Sequence, residues 1–179
     1  MRFKRASRVL LGNGEAVVAP TMEICVALYC RRVIDGDTIQ VARFGTREPL
    51  VTIRLVGVDT PETWGVRLPE AFGPSATEFT AAAVGGQVLV AAVQPQAKLD
   101  KYQRTLAYVH VLGSDESLNA ALLKAGLAVA DFRFAHPAME AYHLLEREAA
   151  IAGLGLWSVH PPPVPGWRRA RPLPLQGPD

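Results

Sequence analysis

Cysteine is nearly absent from this 179-residue chain, with only Cys25 and Cys30 present. They stand five positions apart in a run that reads as a strand, so they face opposite sides and form no local disulfide. The four histidines, His110, His136, His143 and His160, show no ligand spacing and read as structural or surface residues. The sulfur and nitrogen donors of a zinc site are therefore missing. Long apolar runs are missing too. The longest uncharged stretch, 79–97, is interrupted by Thr80, Gly85, Gly86, Gln87, Gln94, Pro95 and Gln96, which excludes a membrane span. Val9 to Leu11 runs straight into Gly12, Asn13 and Gly14, too short for the apolar core of an export signal. These absences imply a soluble protein with no signal peptide and leave its compartment open. Nor does charge of one sign dominate, because the net charge is +2. That balance permits an anionic partner without demanding one. Basic residues gather at the two ends, Arg2, Lys4, Arg5 and Arg8, then Arg168, Arg169 and Arg171, where they either hold phosphates loosely or simply solubilise.

Proline and glycine, in contrast, are plentiful, and the prolines crowd after His160. The expected organisation is an extension over 1–22, one domain over 23–160, and a proline-rich basic tail over 161–179 that is extended and disordered. Within the domain, residues 24–34 are rich in β-branched and aromatic types and residues 37–43 alternate. Asp35-Gly36 between them reads as a hairpin turn whose residues tolerate a positive φ. A third strand is predicted over 50–58. Gly73-Pro74 opens a helix that Gly85-Gly86 closes. Strands over 87–93 and 105–112 and helices over 117–124 and 137–152 follow. Five strands interrupted by a helix and followed by helices suit an α+β fold, a five-stranded OB-type β-barrel with three helices.

Three clusters carry chemistry. Ile34-Asp35-Gly36-Asp37-Thr38 is, taken alone, a plain hairpin turn with a solvated aspartate. Arg54-Leu55-Val56-Gly57-Val58-Asp59-Thr60-Pro61-Glu62 is, taken alone, an acidic strand cap stiffened by Pro61. Together they place Asp37 at the start of strand 2 and Asp59 at the end of the adjoining strand 3. Two carboxylates can then converge on one hard cation, calcium or magnesium, leaving Glu62 free for proton work. The third cluster, Asp100-Lys101-Tyr102-Gln103-Arg104-Thr105-Leu106-Ala107-Tyr108, is either a solvated charged loop or a loop that delivers a second arginine. Two arginines flanking a metal site grip a phosphate bidentately and stabilise the charge of in-line attack.

The order and spacing of these clusters resemble the staphylococcal nuclease (thermonuclease) family. The likeness extends through Phe72-Gly73-Pro74, Leu118-Asn119, Gly126-Leu127-Ala128 and Gly155-Leu156-Trp157-Ser158, over roughly residues 24–160. The resemblance implies that Asp37, Asp59 and the Thr60 carbonyl hold calcium. It also implies that Glu62 activates or orients the attacking water and that Arg54 and Arg104 clamp the scissile phosphate, with Arg104 assisting the leaving 5′ oxygen. Lys101, Tyr102 and Phe132 are the implied substrate contacts. The implied activity is a calcium-dependent, sugar-nonspecific nuclease, acting as a monomer on DNA and RNA, single strands preferred, with 3′-phosphate products.

Some positions depart from the family's pattern. Gln103 stands where glycine is common, and a left-handed backbone there costs glutamine about 1 kcal/mol or shifts the loop. Phe132 and Phe134 replace tyrosines, which keeps stacking and loses a hydroxyl contact. These departures motivate the alternative of a non-catalytic OB module that binds single-stranded nucleic acid or nucleotides. Trp64 and Trp157 read as packing residues.

Overall fold

The computed structural model describes residues 8–10, 16–18, 25–43, 49–63, 68–93 and 99–169. Arg2, Lys4, Arg5, Trp64 and Arg171 lie outside the described residues. In chain order the strands are β1 (Arg8–Leu10), β2 (Ala16–Val18), β3 (Cys25–Asp35), β4 (Thr38–Arg43), β5 (Val51–Leu55), β6 (Val58–Asp59), β7 (Val88–Val93), β8 (Thr105–Val111) and β9 (Val129–Ala130). The helices are α1 (Gly73–Val84), α2 (Leu118–Lys124), α3 (Met139–Ile151) and the single turn α4 (Gly166–Arg169), with a 3₁₀ turn over Gly155–Ser158.

The order β3-β4-β5-β8-β7 closes into a five-stranded barrel. Every neighbouring pair is antiparallel except β5 and β8, which run parallel with Arg54 opposite Leu106. The barrel is filled by alternate residues, Ile39 and Val41, Ile53 and Leu55, Leu89 and Ala91, Ala107 and Val109, all of them buried. That two-residue period made the strands legible from sequence. The α+β, OB-type barrel with three main helices is therefore the observed fold. Among the described residues, no helix is long and apolar enough to cross a membrane.

Three local details differ from the sequence expectation. Asp35 pairs with Thr38, so the β3–β4 turn is centred on Gly36 and Asp37 rather than on Asp35-Gly36. Gly36 has no positive φ. Close approach is what requires glycine there: an added Cβ would lie 2.7 Å from the Ala76 Cβ and 2.8 Å from the Thr60 Cγ2. Thr80 on α1 donates to the Gly36 carbonyl at 2.6 Å, which pins the helix on the turn. The third strand also stops early, at Leu55, because Gly57 turns the chain with φ 74 and starts β6, which pairs with β9. A Cβ at Gly57 would enter the His136 ring at 2.4 Å, so both the φ and the space demand glycine. Last, the proline-rich segment is not extended away from the domain over 161–169. Val164 is buried with Val129 and Leu156, and Phe72, Trp157 and Trp167 pack around them. Two apolar side chains, Val164 and Trp167, spaced among prolines, supply the burial that the prolines alone do not.

One buried side chain joins β8, α2 and the β5–β6 turn. The Asn119 Oδ1 accepts from the Val109 N–H at 3.1 Å, and its Nδ2 donates to the Val56 carbonyl at 2.9 Å and to that of Ala107 at 3.3 Å. Asn119→Ala strands these backbone groups, and urea denaturation should show a loss of about 3 kcal/mol. His136 supplies a pH test. Burial is the main force holding it down, with His143 adding to the effect and Asp131 opposing it, and it titrates at about 4 instead of 6.5. Between those values the unfolded chain binds more protons, so stability falls as pH drops from 6.5 toward 4. A His136→Gln variant lacks this component, and the gap between its melting curve and wild type should change across that window.

Candidate active site

The site begins at the β3–β4 turn. Asp37 is 1% exposed, so the reading of a solvated turn aspartate is excluded. Its Oδ2 accepts from the Thr60 N–H at 2.9 Å and its Oδ1 from the Thr38 hydroxyl at 3.0 Å. Arg54, leaving β5, forms an ion pair with Asp37 Oδ1 through one guanidinium nitrogen. With another it reaches Asp59 Oδ1 at 2.5 Å. One guanidinium thus bridges the two carboxylates that the sequence placed on one centre. Paired, hydrogen-bonded charges of this kind are tolerated in a buried setting, where isolated ones are not.

Asp59 is engaged on its other oxygen as well. Oδ2 accepts from the Trp167 indole N–H at 2.8 Å and lies 3.4 Å from Arg133. Arg133 is itself held by Asp131 through two contacts of 2.8 Å. Thr60 is buried at the end of β6, and its Oγ1 has no hydrogen-bond partner among the described residues.

Glu62 follows on the exposed side of the turn, its N–H bonded to Glu70 Oε2 at 2.9 Å. Partial desolvation raises its pKa above the usual glutamate value; Asp35, Asp59 and Glu70 add to the rise and Arg54 opposes it. Asp35, ending β3, is buried and receives the Asp37 N–H at 3.3 Å. Desolvation raises its pKa against the pull of Thr38, Arg54 and Arg104. A carboxylate so placed belongs to the same charged constellation.

Arg104 arrives from the opposite side, just before β8. The Asp100 carboxylate accepts from the backbone N–H groups of Tyr102 and Arg104 and from Arg104 Nε, at 2.8, 2.9 and 2.8 Å. Burial works to raise the Asp100 pKa, but these hydrogen bonds outweigh it and hold the group below the ordinary value. Arg104 also reaches the Thr38 hydroxyl at 3.5 Å, which links it to the Asp37 turn. Gln103 adopts φ 63, a left-handed backbone that glycine would adopt without strain. Lys101 and Tyr102 are exposed beside it, with Lys101 and Arg104 near the Tyr102 ring at 4.9 and 5.2 Å.

Phe132 stands apart from that loop and packs edge-on against His143 and Trp167 at 5.1 and 5.4 Å. Phe134, 74% exposed, is the open ring of this pair. Asp37, Arg54, Asp59, Thr60, Glu62 and Arg104 are therefore gathered at one end of the barrel. Sequence reasoning passed over Asp35, Asp100, Arg133 and Trp167. Asp35 and Asp100 were visible inside the quoted clusters. For Trp167 the available signal was a large apolar ring in a segment otherwise read as unpacked.

The left-handed residue gives a direct test. Gln103→Gly relieves backbone strain but adds unfolded-state entropy, for a net gain of about 0.5 kcal/mol in a denaturant titration. Gln103→Val, β-branched at the same φ, should lose more than about 1 kcal/mol.

Comparison with known proteins gives a consistent result. Residues 52–159 match the family described as Staphylococcal nuclease homologue. The chain is 39% identical over 132 residues to the thermonuclease of Staphylococcus intermedius, covering 71% of this chain and 73% of that protein. It is 38% identical over 129 residues to the thermonuclease of Staphylococcus hyicus, with the same two coverages. Endonuclease YncB of Bacillus subtilis is 35% identical over 133 residues, 71% of this chain and 59% of that protein. Arg54, Asp59, Thr60, Glu62 and Arg104 fall inside the family match, whereas Asp37 precedes it and Trp167 follows it.

Proposed function

Since the chain belongs to the staphylococcal nuclease family, we propose that it is a calcium-dependent, sugar-nonspecific nuclease that hydrolyses DNA and RNA to 3′-phosphate products. The observation that carries this reading is the pair of carboxylates, Asp37 and Asp59, meeting on one guanidinium with a second arginine, Arg104, linked to the same turn through Thr38.

The residues present fit a hard divalent cation. The donors are all oxygens, Asp37, Asp59 and the Thr60 carbonyl, and the buried Thr60 Oγ1 is an orphaned polar atom beside them. No nitrogen or sulfur ligand competes for a softer metal in this set. When bound, calcium supplies charge stabilisation to a phosphoryl oxygen. Glu62 receives the proton of the attacking water or holds that water in line. Arg54 and Arg104 clamp the phosphate from two sides, since a guanidinium presents paired N–H donors to paired oxygens. Arg104 faces the leaving 5′ oxygen and offsets its developing charge. Asp100 keeps Arg104 oriented through its Nε, so the terminal nitrogens, one of which makes only the long 3.5 Å contact with Thr38, serve the substrate.

Tyr102, 66% exposed and flanked by cationic Lys101 and Arg104, offers a stacking face and charge to an unpaired base and its phosphate. That combination favours single strands, bound by one copy of the chain. Phe134 adds a second open ring, whereas Phe132 is packed against His143 and Trp167.

Degradation of denatured DNA by the purified protein tests the reading. Cutting should require calcium, stop with chelator, fall about a hundredfold in Arg104→Ala and about a thousandfold in Glu62→Gln. Binding of single strands without cutting under any divalent cation would transfer the conclusion to a binding module.

A further inference from the structure

The segment after Ser158 turns back across the site. His160, Pro161 and Pro162 lead into Val164, which is buried against Val129 and Leu156. Val129 belongs to β9, the strand that pairs with Asp59. Anchoring at Val164 therefore brings the following turn to the strand that carries Asp59. Trp167 then sits with its indole N–H on Asp59 Oδ2 at 2.8 Å. Its ring is fixed from two directions, with the Arg133 guanidinium 4.3 Å from the centroid and Phe132 edge-on at 5.4 Å. The opposite oxygen of the same carboxylate is held by Arg54.

We propose that Trp167 is a positioning residue for Asp59, and that residues 161–169 are a working part of the active site. The proposal rests on the calcium reading above. A carboxylate has two oxygens and a rotatable side chain, and a cation gains most from one that needs no reorientation. Trp167 fixes that rotation. An indole N–H is a neutral donor, so it orients the carboxylate without cancelling the charge that attracts the cation. Arg133, a full cation 3.4 Å from the same oxygen, is drawn toward Asp131 instead by its two shorter contacts. Groups that hydrogen-bond a metal-ligating carboxylate from behind change metal affinity about 10-fold to 100-fold when removed.

The test titrates calcium chloride into the metal-free 179-residue chain by calorimetry, comparing wild type with Trp167→Phe. Phenylalanine keeps an aromatic ring against Phe132 and Arg133 and removes only the N–H donor and the second ring. The variant should melt within about 4 °C of wild type, while its calcium dissociation constant rises about tenfold. Tryptophan emission provides a second readout: a calcium-dependent change in wild type should be reduced in the variant. Equal calcium affinity in the two proteins, with wild type binding normally, overturns the role of Trp167 alone. Tighter binding in Trp167→Phe overturns it too, because the segment would then oppose the cation. A folded wild type that takes up no calcium removes the calcium reading and this inference with it.

Discussion

The Asp37 carboxylate is the constraint from which the rest of the site follows. It lies in a turn yet is almost fully buried, and it is satisfied from three stretches of chain: Thr38 beside it, the Thr60 N–H, and the Arg54 guanidinium. A buried charge left with fewer partners would cost several kcal/mol. The turn, the end of β5 and the β6 terminus must therefore come together for the carboxylate to be tolerated at all. Gly36 permits this approach by giving up its Cβ to Ala76 and Thr60, and Thr80 locks α1 onto the same carbonyl. Burial and charge pairing here serve the same arrangement.

Much of this was legible in the residues. The alternation in β4, β5, β7 and β8 revealed the barrel, because a filled barrel buries every second side chain. The convergence of Asp37 with Asp59 was expected from a hairpin and an adjoining strand, yet Asp59 reaches it from β6, beyond the Gly57 turn, and Arg54 completes it between them. What escaped the sequence was geometry that depends on neighbours far along the chain. Gly57 was read through as strand, because nothing adjacent announces the His136 ring that occupies its vacant face. Gly36 was credited with an unusual φ when it was needed for space. Trp167 was placed in an unpacked tail, because a proline-rich stretch looks alike whether or not one valine in it finds a buried seat.

Gln103 shows how a local departure can be absorbed. Its left-handed backbone is the conformation glycine adopts most freely, and Asp100 holds it there by closing hydrogen bonds on both sides of it. The strain is confined to one residue, and Arg104 still points back to the Thr38 hydroxyl.

The parallel contact between β5 and β8 has a consequence for the order in which the chain can become useful. During synthesis β3, β4, β5 and β7 emerge first and can pair in succession, but they leave β5 and β7 as two open edges. Only the insertion of β8 removes both edges at once. The same strand brings Arg104 to its place beside the turn. A nascent or clipped chain ending before Arg104 thus carries most of the acidic cluster on an unclosed, sticky sheet with no second arginine. Closure of the barrel and completion of the charged cluster are one event, so a half-made molecule has neither its stability nor its chemistry.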